Sequence, residues 1–254
     1  MTNIILCGCG GRLGKALTAA AQNEYDIIAG VDINATSLGA LCPFPVYESI
    51  KDFSGKADAI IDFSHHSALA SLIEYSKATK TPLVIATTGH TDEERELMEE
   101  AAKETAIFFS RNMSIGINLL IEFCKETAAM LGEDFDIEII EKHHNKKLDA
   151  PSGTAMMIAE ALKDEREGET EFVYDRHEVR RKRSPSEIGI HAIRGGTIVG
   201  EHEVMFAGED EIITITHSAR SKRVFAVGAI RAAKFLKAQQ PNMYDMQDLL
   251  KAGF

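Results

Sequence analysis

Over the first ~110 residues, short apolar runs alternate with stretches of helical periodicity, and that alternation leaves few folds open. NIILCG reads as a strand, and the residues after it carry Leu13, Leu17 and Ala20 at helical spacing. DIIAGVD, ADAIIDFS, TPLVIATTG and AIFFS read as further strands, with ALASLIEYSKAT and TDEERELMEEAAKE as helices between them. Acidic residues crowd the first turn of the second helix, where the helix dipole favours them. Strands that alternate with helices at this spacing imply an α/β fold, a Rossmann-like doubly wound parallel sheet. Its ligands belong at the carboxyl ends of the strands.

Beyond MSIGINLLIEFCKETAAML, a strongly apolar helix, the grammar changes. FDIEIIEKHH alternates like a half-buried strand, and IGIHAIRGG, TIVGEHEVMFAG and DEIITITHSA are three more strands separated by GGT and GED turn signals. Short turns between strands predict a second α+β domain built on a mixed or antiparallel sheet. RVFAVGAIRAAKFLKA is a closing helix, followed by a short tail. The expected division is residues 1–112 with 223–254 as a dinucleotide-binding domain, and 113–222 for substrate binding and oligomerisation.

The loop GCGGRLG, residues 8–14, follows the first strand and opens the first helix. It is not GxGxxG, because position 13 is leucine, but Gly8, Gly11 and Gly14 fit GxxGxxG. In either form small residues let the backbone approach a pyrophosphate whose charge rests on a helix N-terminus. Asp32 closes the second strand, where an acid can accept hydrogen bonds from a ribose 2′-hydroxyl. Ile33 and Asn34 follow it, so no adjacent cation welcomes a 2′-phosphate. NADH is therefore the expected cofactor, with NADPH as the alternative that Arg12 can partly support.

With 28 basic against 39 acidic residues, the net charge is −11, which disfavours nucleic acid as a partner. No apolar run reaches the roughly 20 residues that span a bilayer, and the N-terminus lacks the basic start of a signal peptide. Cys7, Cys9, Cys42 and Cys124 form neither a CxxC pair nor a secreted framework. Reduced thiols in the cytoplasm and no structural zinc are the expectation.

Residues 141–154, EKHHNKKLDAPSGT, gather His143, His144, Lys146 and Lys147 ahead of a Pro-Ser-Gly-Thr turn. A metal site fits poorly, since adjacent residues of a strand point to opposite faces and no acid completes a ligand set. A solvated loop is the plain alternative. Anion binding fits better: Ser152, Gly153 and Thr154 open the helical pattern AMMIAEALKDE, and a helix N-terminus preceded by four basic side chains suits a small carboxylate or phosphate.

GCGGRLG together with EKHHNKKLDAPSGTA resembles the 4-hydroxy-tetrahydrodipicolinate reductase (dihydrodipicolinate reductase) family of the diaminopimelate route to lysine. The likeness extends over DFS (Asp62 to Ser64), TTG (Thr87 to Gly89), RNMSIGIN (Arg111 to Asn118), VGEHEVMFAG and FAVGAIRAA. It implies a two-domain homotetramer that transfers hydride from NADH or NADPH to a cyclic dicarboxylate. It makes His143 the catalytic histidine and Lys147 the proton donor, with both kept as candidates for delivering the proton. His144, Ser152, Gly153 and Thr154 become substrate binders. The implied cofactor residues are Gly8, Cys9, Gly10, Gly11, Arg12, Leu13, Asp32, Phe63, Ala86, Thr87, Thr88, Ser110, Arg111, Asn112 and Met113. Closure of the two domains would bring nicotinamide to substrate. Three positions depart from the family pattern: Ala86 stands where glycine is common, Asp32 lacks a following cation, and Ser221-Lys222-Arg223 replaces the usual Ser-Arg.

The basic run RHEVRRKRS, Arg176 to Ser184, reads as a solvated or mobile loop, with attraction of a dianionic substrate as the alternative. Asp149 reads as an anchor of its turn. Two rivals remain. Another Rossmann-type reductase acting on a small acid would not need the HHxxKxDAPSGT signature. A non-catalytic NADH sensor would not need His143, Lys147 and an anion-ready helix together.

Overall fold

The computed structural model describes residues 1–20, 25–177 and 180–253. It divides into two compact units, Met1–Ile115 with Lys222–Phe254, and Gly116–Ser221. The first unit contains β1 (Thr2–Cys7), α1 (Arg12–Ala20), β2 (Tyr25–Val31), the single turn α2 (Ala35–Leu38), β3 (Val46–Tyr47) and β4 (Ala59–Asp62). α3 (Leu69–Thr79), β5 (Leu83–Ile85), α4 (Asp92–Ala102) and β6 (Ala106–Phe109) follow. α5 (Ile115–Leu131) then leads into the second unit, which holds β7 (Asp136–His143), α6 (Gly153–Lys163), β8 (Glu171–Val173), β9 (Glu187–Arg194), β10 (Gly200–Ala207) and β11 (Ile212–Ala219). α7 (Arg223–Leu236), β12 (Asn242–Tyr244) and α8 (Met246–Ala252) belong to the first unit.

The first sheet has the order β12-β6-β5-β4-β1-β2-β3, and every pairing in it is parallel. Such a sheet is covered on both faces, so its strands are almost wholly apolar. Alternation divides β1 between the two layers. Ile4 and Leu6 pack with Ala226, Ala229, Ala233 and Leu236 of α7, whereas Ile5 and Cys7 pack with Leu72 and Ile73 of α3 and Met98 of α4. The small residues of α7 permit a very close approach: a Cβ on Gly228 would stand 1.7 Å from the Met113 carbonyl oxygen. The tail expected from the sequence is instead β12 and α8, with β12 adding a parallel edge strand to β6. Three residues are too few for periodicity to reveal.

The second sheet has the order β11-β10-β7-β9-β8 and is mixed. β10 is antiparallel to both β7 and β11, but β7 and β9 run parallel, as do β8 and β9. The GGT signal therefore does not close a hairpin between neighbours: β10 crosses to the far side of β7. Helix α6 buries Ala155, Ile158, Ala159 and Leu162, the i, i+3, i+4, i+7 stripe of an amphipathic helix, in a core shared with Ile137, Ile139, Ile188 and Val204.

The basic run is not a free solvated loop. Arg183 pairs with Asp136 at 2.6 Å and Glu138 at 3.1 Å, and Arg176 and Arg181 both reach the fully buried carboxylate of Glu187. The strands it crosses present acidic side chains at their ends, which local sequence reading does not bring together. Glu178 and Val179, inside the run, lie outside the described residues.

Candidate active site

In the first unit the chain turns sharply after β1. Gly8 takes φ +72°, and a Cβ there would lie 2.6 Å from the Phe63 carbonyl oxygen. Gly8 N–H donates to Val31 O at 2.8 Å and Gly11 N–H to Gly8 O at 3.0 Å, which sets α1 directly beyond the loop. A Cβ on Gly14 would meet Gly8 O at 2.3 Å, so this glycine lets the helix press on the turn. Asp32 accepts from Gly10 N–H at 3.0 Å through one oxygen and from Asn34 N–H at 3.0 Å through the other.

A cavity of about 700 Å³ opens here, lined in part by Gly8, Gly10, Gly11, Asp32 and Phe63. Its volume and glycine floor fit a nucleotide. Ser64, His65 and Ser67 also line it; the DFS likeness reaches Ser64, but none of the three was assigned to the cofactor from the sequence. Among the other residues implied by resemblance, Arg12 and Thr88 are exposed, and Leu13 and Ala86 are half-buried. Arg111 is exposed and carries polar contacts. Cys9 is buried, and burial first of all, with Cys42 and Asp32 nearby, pushes its thiol up to about 12. Met113 is buried beneath α7, and Asn112 is buried beside it in the chain. Thr87 donates to Asp62 at 3.2 Å and lies 2.9 Å from His90 Nε2, while Ser110 Oγ donates to Asn112 O at 2.9 Å. These groups mark the carboxyl ends of β5 and β6.

In the second unit, β7 buries alternate residues, and its buried face carries Ile137, Ile139, Glu141 and His143 in turn. The apolar stripe thus ends in a carboxylate and an imidazole joined by a 2.6 Å contact between Glu141 Oε2 and His143 Nδ1. His143 Nε2 makes no hydrogen bond among the described residues, and a Cβ on Gly200 would lie 3.0 Å from it. The His202 ring stands edge-on to His143 with centroids 5.3 Å apart. Burial, then the neighbouring His143, drives the His202 pKa down to about 3, so this ring is neutral.

His144, next in the chain, is half-buried with its Nδ1 unpartnered among the described residues. No group of three or more His, Cys, Asp or Glu side chains that could hold a metal occurs among the described residues. The loop beyond the two histidines places Lys147 Nζ 2.8 Å from Asp149 Oδ2. Asp149 also anchors the loop through its carbonyl, which accepts from Arg194 at 2.7 Å. Ser152 caps α6, its Oγ accepting from Ala155 N–H at 3.2 Å and lying 3.1 Å from His202 Nε2. Its hydroxyl is thus engaged in holding the helix start. Gly153 is exposed with open space at its Cβ position, and Thr154 is half-buried with polar contacts of its own. Together these residues place an imidazole and an ammonium, each able to hold a proton, on the stretch of chain that leads into a helix N-terminus, with the ammonium paired to Asp149.

Glu141 and Glu187 give this unit a predictable acid sensitivity. Burial by itself raises both carboxyls, but hydrogen bonds outweigh it: His143, Arg194 and Ser152 act on Glu141, and Ser184, Arg176 and Arg181 on Glu187. Both groups end at about 2, below the ordinary 4.5. A depressed folded-state pKa stabilises the fold above the unfolded value, and that contribution is lost as pH falls towards 2. Denaturant midpoints should therefore begin to fall below about pH 6.5, where the unfolded chain takes up a proton that the folded His202 refuses until about 3, and fall further between 4.5 and 2 as these two carboxyls are lost. Glu187→Gln should flatten that fall, and an unchanged profile would count against the ion-pair account.

Two family profiles match the chain, one described as dihydrodipicolinate reductase, N-terminus, over residues 2–113, and the other as its C-terminus, over 116–250. The chain is 52% identical to a 4-hydroxy-tetrahydrodipicolinate reductase of Caldanaerobacter subterraneus subsp. tengcongensis, with all of both chains covered. It is 47% identical to the reductase of that name from Clostridium tetani, covering 99% of this chain and 98% of the other. Among solved structures, a dipicolinate-bound dihydrodipicolinate reductase from Paenisporosarcina sp. TG-14 shares its fold, with a TM-score of 0.80 at 23% identity over 96% of this chain and 97% of that one.

Proposed function

The chain belongs to the dihydrodipicolinate reductase family, and we propose on that premise how its residues reduce 4-hydroxy-tetrahydrodipicolinate to tetrahydrodipicolinate. It is an NAD(P)H-dependent oxidoreductase of lysine biosynthesis. The observation that carries the site assignment is the second-unit segment, where Lys147, His143 and the α6 N-terminus lie along one stretch of chain.

The nicotinamide supplies a hydride when bound. The glycine turn after β1 and Asp32 are the groups suited to hold its dinucleotide: the turn leaves room for a pyrophosphate, and Asp32 can exchange its contacts with Gly10 and Asn34 for ribose hydroxyls. At the substrate, the α6 start with Gly153 and Thr154 receives a carboxylate, and His144 lies beside it. Ser152 serves by shaping that helix start. Loss of the 4-hydroxyl as water leaves a conjugated cyclic imine; conjugate addition of hydride to it places electron density on nitrogen, and a proton must arrive there. Lys147 gives it: among the described residues its ammonium pairs with the exposed Asp149. His143, held through Nδ1, offers Nε2 to the substrate.

NADH is the preferred cofactor in this reading, because Ile33 and Asn34 follow Asp32 and the described lining of the cavity contains no Lys or Arg. Ile33→Arg should raise kcat/KM with NADPH relative to NADH by about tenfold or more, the worth of one charge-assisted contact to a 2′-phosphate. A wild-type preference for NADPH would overturn the reading. In this reading the protein is a homotetramer of the cytoplasm; the assembly is supported by β11, an edge strand paired to β10 on one side that exposes Ile212 and Ile213, and is testable by sedimentation. The decisive assay follows NADH oxidation with substrate freshly made by the preceding synthase. Tight NADH binding without oxidation would sink the reading and favour a sensor.

A further inference from the structure

A charged group on the apolar face of a strand is costly unless its surroundings compensate it, by several kcal/mol for an isolated ion. Glu141 is such a group: it is fully buried and follows Ile137 and Ile139 on the core side of β7. Its compensation is complete. Oε1 accepts from Arg194 Nη2 at 2.7 Å and from Ser152 N–H at 3.0 Å. Oε2 accepts from Arg194 Nη1 at 2.8 Å and lies 2.6 Å from His143 Nδ1. All four acceptor positions of the carboxylate are filled.

Arg194 already engages both oxygens. The additional partners are the proposed catalytic ring and the backbone that begins α6. Arg194 extends the same unit by donating to Asp149 O at 2.7 Å, in the loop that carries Lys147. One buried carboxylate thus joins the imidazole, the helix that receives the substrate carboxylate, and the loop of the proton donor.

We propose that Glu141 is a positioning residue for the reduction: it holds the His143 ring with its proton on Nδ1 and its Nε2 free, in register with the α6 N-terminus. The inference rests on the role of His143 given above. A carboxylate behind an imidazole fixes the tautomer and orientation of the ring. The space for Nε2 is kept by Gly200, where a side chain would intrude, and the neutral His202 packs on the ring without adding charge.

The test is a cycle of Glu141→Gln, His143→Gln and the double variant, reading kcat and NADH affinity. Glu141→Gln should lose about 10–100-fold in kcat, the range known for carboxylates that orient histidines at metal sites. NADH affinity should stay within about twofold, because the cofactor cavity lies in the other compact unit, and the double variant should be no slower than His143→Gln alone. A kcat for Glu141→Gln within about twofold of wild type, or losses that multiply in the double variant, overturns the proposal. Full activity in His143→Gln overturns it too, and is told apart because the His143 assignment then fails first. Nitrogen-15 NMR of the wild-type protein gives a reading independent of how the variants fold. Protonated Nδ1 in the neutral His143 ring supports the proposal, and the opposite tautomer defeats it.

Discussion

Lys147→Ala should lower kcat by about 10²–10⁴-fold, the usual worth of a positioned general acid, while NADH affinity changes by less than about twofold. The two readouts separate because the glycine turn and Asp32 belong to one compact unit and Lys147 to the other. Unfolding is not the expected cause of the loss. The partner of Lys147 is Asp149, whose side chain is 59% exposed, and an exposed pair contributes only about 0–1 kcal/mol. Lys147→Arg sharpens the test. Arginine keeps the positive charge but is effectively never deprotonated, so it can help hold a dianion without giving up a proton. KM for the substrate should stay near wild type in that variant while kcat remains low. Comparable losses in kcat and NADH affinity for Lys147→Ala would remove Lys147 from the chemistry.

Gly228→Ala should destabilise the first unit by about 3 kcal/mol or more, against the direction that helix propensity predicts. Alanine in the middle of a helix is favoured over glycine by about 1 kcal/mol. At Gly228, however, a Cβ would stand 1.7 Å from Met113 O and 2.8 Å from the Met113 carbonyl carbon, and both are backbone atoms that no rotamer change can move. Overpacking costs typically about 1–3 kcal/mol and more where the backbone must shift, so the clash outweighs propensity. For a chain of this size about 3 kcal/mol corresponds to a fall in Tm of about 6–12 °C, readable in a thermal melt. Because the strained carbonyl belongs to the Ser110–Met113 segment implied in cofactor binding, NADH affinity should fall with stability. An alanine variant as stable as wild type would show that α7 and this segment are not in close contact.

Five strands of the Rossmann-like sheet were legible because their links are local, whereas the short β3 and the distant β12 were not. Each strand is a short apolar run, each helix carries its own stripe, and parallel strands joined by helices admit one general arrangement. Gly8, Gly14 and Asp32 were legible for the same reason, since one turn and one strand end bring them together. The mixed second sheet was harder: nothing in IGIHAIRGGTIVG says that β10 will pair with β7 rather than β9. The run RHEVRRKRS looked solvated because its partners, Asp136, Glu138 and Glu187, stand at the ends of strands rather than beside it in a local pattern. Glu141 left a signal that could have been read. The alternation in FDIEIIEKHH places it on the face of Ile137 and Ile139, where an acid is out of place unless something holds it.

The sequence by itself determined the doubly wound first sheet, the glycine turn with its acid, and a cationic segment leading into a helix N-terminus. Those features depend on residues a few positions apart, or on the period of a single element. Only the tertiary structure decided the full set of groups that Glu141 touches, since Arg194 meets it across paired strands and Ser152 reaches it from the start of a helix, whereas His143 stands two residues on along the same strand. It also decided that Ser152 spends its hydroxyl on the helix cap and on His202, fifty residues away. Burial is a property of the assembled layers, and it alone makes a strand glutamate with four hydrogen-bond donors more than a surface charge.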